Sequence, residues 1–183
     1  MSEEMIVRHC SPTLAGLKTG SLFSCSYNKR SELIEFLRGL NLELHQKGIR
    51  LVPLKIKDNT ALVYVYRPSL LDRDLSGDEV CALLCERGYC VGNCCKCLKE
   101  LMRRLENNED FPHEIGLFLG YPLEDVKGFI ENKAENSKLA GCWKVYGDAD
   151  EAKKTFDKFK KCKSVYQKQW ADGKPLNKLA VTR

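Results

Sequence analysis

The sequence lacks any apolar run approaching the roughly 20 residues needed to cross a bilayer, and this excludes a membrane-spanning helix. Its first residues, MSEEMIVRHC, are acidic at the start and carry neither the basic flank nor the apolar core of a secretory signal, so the protein is expected in the cytoplasm. No stretch has the order G-x-x-x-x-G-K-[ST], which removes the nucleotide-hydrolase loop. S-D-N is missing too. The K-T-G of Lys18 to Gly20 and the S-x-x-K of Ser26 to Lys29 stand in the wrong chain order for a penicillin-recognising serine enzyme. There is no internal repeat, low-complexity segment or linker to force a second domain.

What is present is an ordinary globular composition. The 183 residues are 43% hydrophobic and 30% charged. A chain of this length buries roughly 70% of its unfolded surface in one core, which predicts a single domain. Net charge is a mild +5. Lys153, Lys154, Lys158, Lys160, Lys161, Lys163 and Lys168 crowd one predicted helix, which reads as a solvated face in preference to a nucleic-acid surface. The chain is cysteine-rich, with ten. Without an export signal these read as reduced thiols, metal ligands or core residues and not as disulfides.

Periodicity gives the architecture. Residues 1–8 read as a tail, and the stretch from His9 to Phe23 as a loop at one end of a sheet. Ser21 to Tyr27 reads as a strand, and Asn28 to Lys47 as a helix with Leu33, Leu37, Leu40 and Leu44 on one stripe, capped by Asn28 and ended by Gly48. Ile49 to Ile56 and Ala61 to Tyr66 form a hairpin pattern, with Pro53 marking an edge strand. A helical part follows over residues 76–140, opened by a Ser76/Glu79 capping box and including helices near Asn93 to Glu106, Pro112 to Leu119 and Pro122 to Asn132. Cys142 to Tyr146 is a short strand, and Asp148 caps a long helix to about Ala171. The sum is an α+β domain, a small mostly antiparallel sheet of about four strands packed with several helices.

Four motifs, HCSPTLAGLKTGSLF (9–23), FPHEIGLFLGYPLEDVKGFI (111–130), GCWKVYGD (141–148) and FKKCKSVY (159–166), resemble the uncharacterised bacterial family catalogued as domain of unknown function 3793. The resemblance implies no activity. It places His9, Cys10, Pro12, Thr13, Lys18, Pro112, His113, Glu114, Trp143 and Cys162 at motif positions. The family's occurrence in anaerobic Gram-positive bacteria implies a role in anaerobic redox or metal metabolism.

Four chemistries are conceivable. A thiol near histidine or lysine ionises more readily, so Cys10 is the candidate nucleophile with His113 or Lys18 as base, and Cys142 beside them. His9, Thr13, Lys18, Thr19, Glu114, Cys142 and Tyr146 are then candidate ligand-binding residues, and core is the default for Trp143. Metal ligation is the second, drawn from Cys81, Cys85, Cys90, Cys94, Cys95 and Cys97. Only Cys94 and Cys97 have C-x-x-C spacing, and they continue an apolar stripe, so core or surface cysteine is preferred. Anion binding at Gly16 to Ser21 is the third. A helix-turn-helix at 115–130 is the fourth, but Glu124, Asp125 and Glu131 on its second helix disfavour phosphate, so nucleic acid is not an expected partner. The residues favour binding of a small molecule, metal or cofactor, whose identity they leave open, as they do any protein partner and whether the chain is an enzyme. The alternative is a nucleic-acid-binding or regulatory protein.

Overall fold

The computed structural model describes residues 2–107 and 111–182. Contacts divide the chain into two compact units, Met1–Leu71 with Cys162–Arg183, and Asp72–Lys161. The class is α+β. Among the described residues no helix is long and apolar enough to cross a membrane.

The first unit contains the main sheet. Strands β1 (Gly20–Ser26), β2 (Arg50–Lys57) and β3 (Thr60–Tyr66) lie in the order β1-β3-β2, antiparallel throughout. The β2–β3 turn uses Asp58 (φ 50) and Asn59 (φ 58), the left-handed pair that a two-residue hairpin of this twist requires. β2 is an edge strand as Pro53 implies, and its register slips between Pro53 and Lys55. Outside that edge, the Asn41 carboxamide donates to the Leu51 carbonyl at 2.8 Å and accepts from the Leu51 N–H at 2.9 Å.

Two helices cover the sheet. Helix α2 (Arg30–Leu44) buries the expected leucine stripe, then tightens into a 3-10 turn, His45–Lys47, closed by Gly48 at φ 68. Its cap position is Lys29, with no side-chain bond, so Asn28 does not cap it. Helix α1 (Glu3–Leu14) corrects the expected tail and loop. The polar residues among glycines, leading into a strand, read as a loop, but the helix accommodates them, and Pro12 sits in its last turn, where the missing N–H costs only one ladder bond. Gly16 (φ 70) then ends the helix: its N–H reaches the Thr13 carbonyl, and the Leu17 N–H reaches that of Pro12 at 2.8 Å. Ile6, Val7, Cys10 and Leu14 face the core with Phe23, Val63 and Val65 of the sheet.

Arg67 is completely buried in this unit. Its Nε donates to the Thr13 carbonyl at 2.7 Å, Nη1 to that of Lys47 at 3.0 Å, and Nη2 to those of Leu14 at 2.7 Å and Val181 at 2.8 Å. A cation is favoured at the carbonyl end of a helix, and here it meets the end of α1 directly. The Val181 N–H also donates to the Leu14 carbonyl at 3.0 Å, so the segment after residue 180 lies along the same helix end.

Helix α3 (Pro68–Leu75) follows, and the second unit holds α4 (Asp78–Glu86), α5 (Cys94–Asn107), α6 (Ile115–Phe118) and α7 (Leu123–Glu131). Gly77 occupies the cap position of α4, so the expected Ser76/Glu79 box does not form; Ser76 bonds back to the Arg73 carbonyl instead. The strand expected at Cys142 to Tyr146 is shorter and outside the main sheet. It forms β5 (Lys144–Val145), paired only with β4 (Leu139–Ala140), giving a three-stranded sheet and a separate two-stranded ribbon. Helix α8 (Ala149–Ala171) is capped by Asp148, whose Oδ1 accepts from the Asp150 and Glu151 N–H groups at 3.0 Å. Short α9 (Leu176–Leu179) completes the first unit's core.

Arg67→Met should lower stability by about 3–5 kcal/mol in urea unfolding followed by circular dichroism, since four backbone carbonyls, two of them fully buried, lose a charged donor. Arg67→Lys should fall between the two, because an ammonium cannot reach all four. On α1, the His9 imidazole is held below its ordinary pKa of 6.5 by partial burial and by the charges of Lys163 and Arg8. The unfolded chain therefore takes up this proton more readily than the folded one, so the neutral imidazole's contribution is intact above about pH 6.5 and is lost as pH falls through the lowered folded value. His9→Gln should flatten that part of the stability profile, and the His9 Hε1 resonance should titrate below the usual histidine range.

Candidate functional site

The second unit carries a cleft of about 390 Å³, a size suited to a small molecule. Phe111, His113, Tyr121, Phe129 and Trp143 supply its aromatic surface, and Cys142 and Lys144 stand at its exposed edge. With the exception of Ala140, every lining residue falls in one of two segments, 111–130 or 141–148.

Asp125 assembles these segments. It is buried on α7, and its Oδ2 accepts from the Trp143 indole Nε1–H at 2.6 Å. Its Oδ1 accepts from the backbone N–H groups of Tyr146 at 2.7 Å and Gly147 at 2.8 Å. Gly128, one turn further along α7, leaves room for the Tyr146 ring, because a Cβ there would lie 2.4 Å from that ring. The ribbon is thereby fixed against α7 at two points. The Trp143 ring stacks on Tyr121 at 4.7 Å and meets Phe156 edge-on at 4.5 Å. Burial, with the nearby Cys142 sulfur adding to it, pushes the Tyr121 hydroxyl up to about 12, so it stays a neutral donor and reaches the Cys142 carbonyl at 3.4 Å.

His113 is exposed, its ring edge-on to Phe129 at 4.9 Å. The adjacent Glu114 points elsewhere, as consecutive residues of a helical turn must. Its carboxylate is buried, accepting from the Tyr89 hydroxyl at 2.9 Å and lying 3.5 Å from Arg87 and 3.7 Å from Arg104, whose guanidinium also covers the Tyr89 ring at 4.7 Å. Glu114 therefore anchors the backbone that presents His113, and does not orient the imidazole.

Of the residues singled out from the sequence, His113 and Cys142 line the cleft together. Tyr146 does not: its ring packs on Gly128 and its hydroxyl donates to the Glu135 carbonyl at 2.9 Å, while Trp143, expected in the core, lines the cavity. His9, Cys10, Thr13, Lys18 and Thr19 belong to the first unit. Cys10 is 0% exposed, and burial raises its thiol far above the ordinary range, with Lys18 offsetting only part, so the reactive thiolate is disfavoured. His9 lies on the exposed side of α1, stacked on Phe23 at 5.5 Å. Thr13 shares a buried hydrogen bond of 2.9 Å with Ser21. Thr19 is buried and gives its carbonyl to the Arg67 N–H, while the half-buried Lys18 gives its own N–H to the Pro12 carbonyl. The glycine, lysine and threonine run thus serves the end of a helix and the start of a strand.

Among the described residues, no three or more histidines, cysteines or acids are placed to hold a metal ion. Cys94 and Cys97 engage different neighbours. Burial and hydrogen bonding to Asp72, with Cys95 alongside, push the Cys94 thiol up to about 12, whereas the Cys97 Sγ donates to the Cys90 carbonyl. The helix-turn-helix expectation meets an α6 of a single turn, too short for that motif's first helix.

The aromatic lining could have been found by asking where Phe111, Tyr121, Phe129 and Trp143 cluster around glycine-bearing segments. What periodicity could not supply was the carboxylate that joins them. Asp125→Asn places an amide where only acceptors fit, and should cost about 2 kcal/mol in denaturant unfolding. It should also move the Trp143 indole resonance while leaving that of Trp170 in place.

A search of curated proteins and one of solved structures each found no match. A family model described as "Protein of unknown function (DUF3793)" matches residues 6–180, and with that coverage the chain belongs to this family.

Proposed function

We propose that the protein binds a small, planar organic molecule in the cleft of the second unit. The single observation that carries this reading is the convergence of Phe111, His113, Tyr121, Phe129 and Trp143 on one cavity, with the exposed Cys142 and Lys144 also in its lining. Such a surface favours a flat apolar body, since ring stacking and edge contacts are worth about 0.5–1.5 kcal/mol each beyond burial. The His113 imidazole and the Cys142 thiol stand where the ligand's edge would lie, and Lys144 is on the same rim, its ammonium bonded to the Ala134 carbonyl. Trp143 is held by Asp125 before any ligand arrives, so little ordering is lost on binding.

The probe is 1-anilinonaphthalene-8-sulfonate, titrated into the intact folded protein. Saturable binding at one site that shifts the Trp143 indole resonance and leaves Trp170 unmoved is the expected result. Phe129→Ala should weaken it about tenfold. Phe111→Ala, at a rim position already 47% exposed, should weaken it by a smaller factor without loss of folding. Binding that leaves Trp143 unshifted, or that both variants leave at wild-type affinity, overturns the reading.

A further inference from the structure

A second group of side chains in the same unit has no part in the cleft. Cys81 and Cys85 are four residues apart on α4 and so share one of its faces. Gly88 (φ 76) ends that helix, and Gly92 (φ 86) turns the connecting segment that holds Cys90. Asn93 caps α5 by accepting the Lys96 N–H at 3.0 Å, which brings Cys97, in the first turn of α5, back toward the segment just left. There the Cys97 Sγ donates to the Cys90 carbonyl at 3.4 Å, and the Cys81 Sγ donates to that of Leu75 at 3.3 Å.

The four thiols differ in access. Cys97 is buried and Cys81 half-buried, while Cys85 and Cys90 are exposed, and all four are free. Burial pushes the Cys97 thiol up, and the sulfurs of Cys90, Cys81 and Cys85 add to that effect in this order. The hydrogen bond from the Cys97 Sγ to the Cys90 carbonyl at 3.4 Å places the buried thiol against the backbone of the residue that carries the exposed one. Exchange between two thiols and an incoming disulfide needs only such a pair, one sulfur open to solvent and one behind it.

We propose that Cys90 and Cys97 form a dithiol site that closes to an intramolecular disulfide by exchange with a low-molecular-weight disulfide. The Cys90 thiolate attacks one sulfur of the incoming molecule, forming a mixed disulfide and expelling one small thiolate. The Cys97 sulfur, on losing its proton, then attacks Cys90 Sγ, the bond to the small thiol breaks, and a second small thiolate leaves. The two protons lost by the cysteines go to the two leaving thiolates, so the protein is oxidised by two electrons and the small disulfide is reduced to two thiols. The bond would staple the α4–α5 connection to the first turn of α5. Because burial keeps Cys97 protonated, closure should accelerate as pH rises above neutrality.

The test uses the intact protein with glutathione disulfide, followed by iodoacetamide, trypsin and tandem mass spectrometry. Cleavage after Lys96 separates the peptide holding Cys90 from the one holding Cys97. The expected product has lost two hydrogens and joins those peptides through Cys90. Cys97→Ser should stop at one glutathione held on Cys90, and Cys90→Ser should form no internal bond. The Cys94→Ser/Cys95→Ser double variant should close as the wild type does. Should Cys97→Ser fail to fold, the wild-type linkage map decides by itself. Full alkylation of the wild type, a persistent glutathione adduct in place of closure, or a linkage other than Cys90 to Cys97 overturns the proposal.

Discussion

A guanidinium with no access to water holds the first unit together. Taking a cation out of water costs several kcal/mol, and this is recovered only where strong acceptors surround it. Arg67 meets that condition with backbone carbonyls from three separate stretches, the end of α1, the turn after α2 and the segment at Val181. Those oxygens are groups a helix or turn leaves without a ladder partner, so one side chain answers several deficits at once. The planar fork of arginine makes the arrangement possible. Within the polar run around Thr13, Lys18 and Thr19, Arg67 also occupies two backbone carbonyls, that of Thr13 through its side chain and that of Thr19 through its N–H.

The second unit solves a similar problem with the opposite charge. Asp125 and Glu114 are each buried, and each is saturated by donors from several parts of the unit. Asp125 collects two backbone N–H groups and an indole, joining α7 to the ribbon. Glu114 collects a tyrosine hydroxyl and the charges of two arginines. The cleft lies among the elements that these carboxylates tie down, and its aromatic walls are therefore braced from behind. That is the condition under which a binding surface keeps its shape without its ligand.

Much of this was legible in the amino-acid sequence, because periodicity reports burial. The stripe Leu33, Leu37, Leu40 and Leu44 located α2 and its face, and the paired β-rich runs with Pro53 located the hairpin and its edge. The failures share a cause. The polar run around Cys10 and Thr13 hid α1, because a helix with one face on a core can carry hydroxyl and thiol side chains, and Pro12 in its last turn removes only one ladder bond. Tyr146 and Trp143 exchanged their expected places, because the choice depended on Gly128 and Asp125, more than a dozen residues away along the chain. Cys10 and His113 looked like partners in chemistry, but burial in one unit and exposure in the other are not properties that residue type alone reveals.

The Asn41 carboxamide beside Leu51 bears on how the molecule behaves in a crowded solution. A terminal strand with vacant donors and acceptors is a template on which unrelated chains can grow fibrous assemblies. Here the amide of one helix residue impersonates an incoming backbone, Pro53 two residues on has no hydrogen to offer, and the slip in register between Pro53 and Lys55 interrupts the regular ladder. Three small local features thereby make that flank of the sheet a poor seed for polymerisation.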